Sequence, residues 1–225
     1  MDHLSAANDQ IPVAISNQRT YAVSTQKLRF KDTPMSKQAK TLTSADLRRV
    51  LEHIAANRHA VRNRAMLLAM YYAGLRVGEC AALRYQDVVD DAGAIRAEIR
   101  LEAAQTKGKQ GRVVFVSDKL RKELAAYVKA HPAKSAADKL FYTQKKGGAG
   151  FTANTLCQFF HAMFKRCGID GASSHSPRRS FITNLADKGV SVRVLQSLAG
   201  HKNISTTQIY IDVNDAMKRR AVELV

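Results

Sequence analysis

The stretch AVRNRAMLLAMYYAG, residues 60–74, restricts the fold of this chain more than any other feature. Every position from Ala65 to Ala73 is apolar or aromatic, so a helix here has no polar face to turn toward water. Gly74 follows at the position where a glycine commonly ends a helix. We therefore predict a buried helix, packed on several sides by other elements.

The remaining periodicity predicts mostly helices and one hairpin. TSADLRRVLEHIAAN has helical spacing, with Thr43 or Ser44 as its cap. AIRAEIRL and RVVFVS flank the turn TKGKQG and read as paired strands, and KLFYT reads as one more short strand. We expect a mainly α fold with a small antiparallel β-sheet. The other predicted helices are VGECAALRYQDV, SDKLRKELAAYVKAHP with Ser117 as its cap, TANTLCQFFHAMFKRCG ended by Gly168, SPRRSFITNLADKG, SVRVLQSLAGH and ISTTQIYIDV.

Two regions differ in composition. Residues 1–40 are rich in Ser, Ala, Gln, Asn and Lys and have no sustained period, which predicts a flexible or extended N-terminal arm. Residues 41–225 carry the periodic segments and are predicted to form the folded domain.

Composition narrows the functional classes. The formal charge is 36 − 19 = +17, which favours a polyanionic partner: nucleic acid first, an acidic membrane surface second, with a solvated basic surface as the plain alternative. A hydrophobic content of 45% leaves enough for a core. No apolar run approaches the roughly 20 residues of a membrane span, and the first residues lack a signal pattern.

Cofactor and metal sites are not indicated by the sequence. Cys80, Cys157 and Cys167 form no CxxC pair, so we expect reduced thiols in a cytoplasmic protein rather than zinc ligands or disulfides. GxxxxGK[ST] and GxGxxG motifs are missing, which argues against a nucleotide-binding loop.

Four local patterns carry candidate chemistry, although each alone has a plain structural reading. In chain order, the plain readings of the four patterns are a helix–helix corner, a solvated turn, a basic helix start, and a C-cap glycine followed by a half-buried tyrosine. Two arginines at a helix start oppose the macrodipole unless an anion binds there. The patterns are Gly74-Leu75-Arg76-Val77-Gly78-Glu79, Thr106-Lys107-Gly108-Lys109-Gln110-Gly111-Arg112, His175-Ser176-Pro177-Arg178-Arg179-Ser180, and Leu198-Ala199-Gly200-His201 with Tyr210 nine residues later.

Taken together, these patterns resemble the catalytic domain of the tyrosine recombinase (phage integrase) family across roughly residues 43–215. That family has a Gly-Leu-Arg-x-x-Glu box, a hairpin lysine, a His-x-x-Arg box, a Gly-His box and a tyrosine about nine residues further on. All of them occur here in that order. The resemblance implies the tyrosine recombinase catalytic-domain fold.

The resemblance also implies a role for each matching residue. Tyr210 would attack the scissile phosphate and form a 3′-phosphotyrosyl link. Lys107 would protonate the departing 5′-oxygen, and His175 would act as general base or hydrogen-bond donor. The remaining roles would fall to Arg76 and Arg178 on the non-bridging oxygens, His201 as a further donor to the phosphate, Glu79 as a brace, and Lys109, Arg112 and Arg179 as DNA-binding residues.

Elementary chemistry agrees with these roles. Guanidinium groups fit the charge that gathers on non-bridging phosphate oxygens, and a phenol needs a base and an electropositive pocket to act as nucleophile. A lysine can protonate the leaving oxygen. A covalent intermediate conserves the bond energy, so neither a metal nor a small-molecule cofactor is expected.

The match departs from the family at three points. Pro177 stands where the family commonly has Leu, and it suits the first turn of a helix. Lys109 competes with Lys107 for the hairpin role; we prefer Lys107 because it directly follows Thr106 and precedes Gly108. The usual N-terminal helical domain is not matched, which suggests a catalytic-domain-only form such as the fimbrial phase-switch invertases, or a truncated or accessory protein.

These observations predict a site-specific recombinase for double-stranded DNA, working as a homotetramer on paired sites for integration, excision or inversion. The alternatives are a non-catalytic DNA-binding regulator of the same fold and a type IB topoisomerase-like enzyme. The segment NDAMKRRAVELV would dock either on a neighbouring subunit or on its own domain.

Overall fold

The computed structural model describes residues 38–106, 109–143, 149–211 and 215–223, all within the unit Lys37–Val225. The predicted arm falls outside these residues except at 38–40, so the boundary at residue 40 stays a prediction. Within the described ranges, no helix is long and apolar enough to cross a membrane.

Helices dominate the described residues. They are α1 (Ser44–Ala55), α2 (Ala60–Tyr72), α3 (Val77–Ala82), α4 (Tyr85–Val88), α5 (Asp118–Ala130), α6 (Ala153–Arg166), α7 (Ser176–Asp187), α8 (Val192–Ala199), α9 (Ser205–Gln208) and α10 (Asp215–Val222).

Helix α2 lies at the centre of the packing. The side chains from Ala65 to Met70 are all buried, and α2 contacts α1, α3, α5 and α7. An apolar helix of this kind is stable only when neighbours cover it on several sides. The prediction of a buried helix over this stretch is therefore confirmed.

Short-range capping signals fix the helix ends. Thr43 is the N-cap of α1 and forms a capping box with Asp46, and Ser117 caps α5 by accepting from Leu120 N. Gly74 and Gly168 end their helices with φ values of +61° and +64°, a backbone conformation that favours glycine. These ends agree with the sequence predictions.

The sheet is a two-stranded antiparallel hairpin. Strand β1 (Glu98–Leu101) pairs with β2 (Arg112–Phe115), and the buried Ile99 and Val114 lie opposite each other. A 3-10 turn at Ala103–Gln105 follows β1. The prediction of a mainly α fold with a small antiparallel sheet is confirmed.

Three predicted elements differ from the observed ones. The helix expected across residues 77–88 is interrupted, because Leu83 and Arg84 are extended and Arg84 forms an isolated bridge with Lys139. The expected strand KLFYT makes only isolated bridges. The last predicted helix stops at Gln208, so Tyr210 lies in the turn after α9.

Candidate active site

The ends of several elements meet at one place. The corner after α2 brings Arg76 to the N-cap position of α3, and β2 begins with Arg112. The first turn of α7 carries Arg178, and His201 directly follows Gly200 at the end of α8. Side chains from four separate stretches of sequence are thereby gathered into one cluster.

Glu79 is the buried anion of this cluster, with 1% of its side chain exposed. Its Oε1 accepts from Arg76 Nη1 at 2.8 Å, and its Oε2 accepts from Arg112 Nη2 at 2.7 Å and from the Arg76 backbone N at 2.7 Å. Burial alone would raise the pKa of Glu79, but the hydrogen bonds and charge of Arg112, followed by Arg76, lower that pKa to about 2. The carboxylate is therefore ionised at neutral pH.

Arg112 is held by protein oxygens from several directions, and its side chain is 9% exposed. Besides Glu79, its guanidinium donates to Leu198 O at 2.9 Å and to Gly74 O at 3.3 Å. A Cβ on Gly200 would lie 2.6 Å from Arg112 Cδ, so glycine makes room for this side chain. In the observed arrangement Arg112 ties β2 to the helix ends, and its expected DNA contact stays a prediction.

Arg178 is buried and lies beside the other two arginines. Its guanidinium donates to the backbone oxygens of Gly74 and Ala199, and its Nη2 lies 3.1 Å from His201 Nε2. Burial, followed by the charges of Arg76 and Arg112, lowers the pKa of Arg178 to about 9. Because this value is above neutral pH, the guanidinium keeps its positive charge.

His201 adopts a neutral form that its neighbours define. Arg178 has only donors, so His201 Nε2 must accept, and the proton must be on Nδ1, which donates to Thr207 Oγ1 at 3.0 Å. Burial, followed by the charges of Arg178, Arg76 and Arg112, lowers the pKa of His201 to about 4. In this arrangement His201 Nε2 is an acceptor rather than a donor.

Tyr210 contacts this cluster through its ring. The ring stacks on the imidazole of His201 with centroids 6.0 Å apart and an interplanar angle of 20°. The guanidinium carbon of Arg179 lies 5.3 Å from the Tyr210 ring centroid, within the range of a cation–π contact. The structure thus brings Arg76, Glu79, Arg178, Arg179, His201 and Tyr210 together.

The other predicted site residues are placed as follows. His175 is the exposed N-cap of α7, and its backbone N donates to Ser173 Oγ at 3.2 Å. Lys109 is exposed in the hairpin turn, with a φ of +49°. Lys107 lies outside the described residues. Pro177 occupies the first turn of α7, as expected.

A cleft of about 470 Å³ opens beside the cluster, between the hairpin and α8. Arg76, Arg112 and His201 line it together with Arg193 and Lys202, two cations that sequence reasoning did not single out. The sequence signal that could have identified these two residues is their position close to Gly200-His201 along the chain. Among the residues that the structure describes, no group of His, Cys, Asp and Glu is arranged to hold a metal ion.

A comparison with protein families agrees with this arrangement. The family model described as the phage integrase family matches residues 40–217, a span that takes in every element from α1 to α9. The chain therefore belongs to the phage integrase family.

Individual relatives and solved structures point the same way. A tyrosine recombinase of Pseudothermotoga lettingae is 32% identical over 182 residues, covering 80% of this chain and 59% of that protein. The tyrosine recombinase XerA of Thermococcus kodakarensis is 32% identical over 184 residues, covering 82% and 62%. The chain thus spans about three fifths of the length of these relatives.

The crystal structure of XerA recombinase superposes with a TM-score of 0.65 at 25% identity, over 82% of this chain and 64% of that one. A Tn1549 transposon integrase in complex with circular intermediate DNA gives a TM-score of 0.63 at 20% identity, over 82% and 66%. The predicted tyrosine recombinase catalytic-domain fold is confirmed.

Proposed function

We propose that this protein is a tyrosine-type site-specific recombinase that cleaves and rejoins double-stranded DNA through a 3′-phosphotyrosyl intermediate. The observation that carries the proposal is the contact of Tyr210 with His201, which also contacts Arg178 and lines a basic cleft together with Arg76. The relatives named tyrosine recombinases support the same activity.

In the proposed reaction the scissile phosphate occupies the cleft. Arg76, whose side chain is 29% exposed, has N–H donors beyond those bonded to Glu79 and Gly200 O and can reach a non-bridging oxygen. Arg178 adds a second positive charge. Both charges stabilise the transition state, because negative charge accumulates on the phosphoryl oxygens.

The chemical step moves one bond and two protons. Tyr210 Oη bonds to phosphorus as its proton passes to His175 acting as general base, and the bond from phosphorus to the 5′-oxygen breaks. Lys107 supplies the proton that the 5′-oxygen takes up. The 3′-phosphate remains linked to Tyr210 until a 5′-hydroxyl reverses the reaction.

His201 needs a more specific role than the sequence suggested. Donation to the phosphate would require a proton on Nε2, yet Nε2 accepts from Arg178 when no DNA is bound. We propose that His201 first holds Arg178 and the Tyr210 ring. After Arg178 turns toward the phosphate, the imidazole proton moves from Nδ1 to Nε2, the Thr207 hydroxyl donates to Nδ1, and Nε2 donates to the phosphate.

The assembly and the cellular setting are proposals of the same kind. Strand exchange between two duplexes needs four nucleophiles, which supports a homotetramer on paired sites. Action on DNA supports a cytoplasmic location. We also propose that Lys109 at the hairpin tip contacts DNA phosphates, and this is supported by Thr106 and Gln110, which lie near it in sequence and line the cleft. Residues 1–40 would form a flexible or extended N-terminal arm.

A nicked suicide substrate tests the proposal. Duplexes are taken from inverted repeats or attachment sites beside the gene, with a nick placed so that the cleaved 5′ end diffuses away. Wild-type protein should accumulate covalently on DNA, and Tyr210→Phe should form no adduct. Tyr85→Phe, which changes a half-buried tyrosine lining a different pocket, is the matched control and should react normally.

Each other outcome has a definite meaning. An adduct that persists with Tyr210→Phe would end the assignment of the nucleophile. Specific binding without any adduct would instead indicate a DNA-binding regulator. Relaxation of supercoils without sequence preference would indicate a topoisomerase of type IB.

A further inference from the structure

The residues that lead into the domain are hydrogen-bonded to α7 and to the loop before it. We call residues 38–42 the joining segment. Lys40 N donates to Gly171 O at 2.9 Å, and Leu42 N donates to Ser180 Oγ at 2.7 Å. Leu42 is 2% exposed. The joining segment therefore has a fixed position along the helix that also carries Arg178.

Arg179 connects this segment to the tyrosine. Its Nε donates to Thr41 Oγ1 at 3.1 Å, and its Nη1 donates to Gln38 Oε1. The same guanidinium lies 5.3 Å from the Tyr210 ring centroid. One guanidinium group thus contacts both the joining segment and the face of the Tyr210 ring.

The backbone around Tyr210 restrains it only weakly. Helix α9 is a single turn, and Tyr210 follows it in a turn closed by the bond from Tyr210 N to Thr207 O at 3.0 Å. Among the described residues, the ring stacks on His201 and makes a cation–π contact with Arg179. A ring on a short turn has several accessible orientations, so these two contacts largely decide where the phenol oxygen points.

We propose that Arg179 is a positioning residue for Tyr210, and that Gln38 and Thr41 hold Arg179 in the orientation that it needs. The inference rests on the proposed function in one respect, the role of Tyr210 as nucleophile. The placement of the nucleophile then depends on the joining segment. Displacement of that segment removes two acceptors from Arg179, and the ring loses its cationic neighbour.

The test separates positioning from DNA contact. Four variants are compared with wild type: Arg179→Gln, Arg179→Lys, Gln38→Ala and Thr41→Val. The last two remove hydrogen-bond acceptors and leave every charge in place. Arg48→Gln, on the exposed side of α1, controls for the loss of one positive charge. Adduct formation is measured in single turnover at saturating DNA, and DNA affinity is measured separately across salt concentrations.

We expect Arg179→Gln to slow adduct formation by about 5- to 10-fold, the worth of one partly desolvated cation–π contact. Gln38→Ala and Thr41→Val should slow it in the same direction, with affinity unchanged. Arg179→Lys should recover part of the rate. If Arg179→Gln instead weakens binding and lowers the salt slope by about 1, while Gln38→Ala and Thr41→Val behave as wild type, Arg179 is a DNA contact and the inference is wrong.

A second measurement needs no catalysis. In protein labelled with 3-fluorotyrosine, the ¹⁹F resonance of Tyr210 is identified by its loss in Tyr210→Phe. Without DNA, it should shift in Arg179→Gln and in Thr41→Val and stay in place in Arg48→Gln. An unmoved resonance in the first two variants overturns the inference. If the resonance shifts in these variants but wild-type protein forms no adduct with DNA, the contact between Arg179 and Tyr210 is supported and the proposed function is refuted.

Discussion

Glu79 shows how much one carboxylate can organise. It is 1% exposed and accepts hydrogen bonds from both Arg76 and Arg112, which arrive from the α2 corner and from the hairpin. Charges of this kind are costly to bury unless they are paired. Glu79 therefore allows two guanidinium groups to approach each other at the cleft.

Glu79→Gln should lower the free energy of unfolding by about 3 to 5 kcal/mol at pH 7, because it leaves the buried Arg112 charge without its partner. Folding lowers the pKa of Glu79 from 4.5 to about 2, so this contribution is present above pH 4.5 and is lost as the pH falls toward 2. The difference in free energy of unfolding between wild type and Glu79→Gln should shrink by about 3 kcal/mol as the pH falls from 4.5 to 2.

Urea unfolding at a series of pH values checks this prediction. Glu98→Gln, which changes an exposed carboxylate on β1, is the matched control and should track wild type. A gap between wild type and Glu79→Gln that stays constant from pH 7 to pH 3 would contradict the assigned pKa.

The sequence predicted which residues form this cluster better than it predicted the environment of each residue. The resemblance to the tyrosine recombinase family, carried by the order and spacing of the motifs, implied that Arg76, Arg178, His201 and Tyr210 belong to one site. The burial of Arg112 depends on a carboxylate 33 residues earlier and on a carbonyl 86 residues later. Such distant partners leave no local pattern, so Arg112 looked like one more hairpin cation.

At the scale of elements, the corner after α2 sets the position of α7. Gly74 has a φ of +61°, and a Cβ there would lie 2.5 Å from Phe181 Cδ1. Its backbone oxygen also accepts from Arg178 and Arg112. The missing side chain therefore permits both the turn and the close approach of the helix that carries Arg178.

Gly74→Ala should destabilise the protein by more than the roughly 1–2 kcal/mol that a left-handed conformation costs a residue with a side chain, because it also displaces the ring of Phe181. Gly74→Ala should also slow adduct formation, because displacement of Phe181 shifts α7, the helix that carries Arg178. Gly168→Ala is the matched control: its φ is +64° at the end of α6, and no atom lies within 4 Å of the added Cβ.

Urea unfolding and single-turnover adduct formation measure the two effects. Equal losses of stability in both glycine variants, with an unchanged rate, would show that Phe181 does not hold α7 against the corner.

Local signals predicted most helix ends but not the interruptions. The caps at Thr43 and Ser117 and the glycine at 168 depend on neighbours a few residues away. The break between α3 and α4 instead depends on the bridge of Arg84 with Lys139, 55 residues later. Periodicity alone cannot reveal a contact of that range.

For the whole molecule, the formal charge of +17 should dominate the strength of DNA binding. If about 6 to 10 phosphates are contacted, affinity should fall by about 10³ to 10⁵ between 50 and 200 mM salt. Fluorescence anisotropy with labelled duplex measures this dependence. Adduct formation at saturating DNA should change little, because counterions are released on binding. A loss of affinity of less than tenfold over this range would contradict the prediction.

The backbone oxygen of Gly74, as an acceptor shared by two arginines, should influence how these positions evolve. Arg178 and Arg112 both donate to this one backbone atom, and they also donate to the backbone oxygens of Ala199 and Leu198 at the end of α8. Side chains that share a partner do not contribute independently, so the effects of substituting them will not add. A lineage that replaces Arg112 thereby changes how Arg178 is held, so the residue tolerated at position 112 is expected to depend on the arginine at position 178.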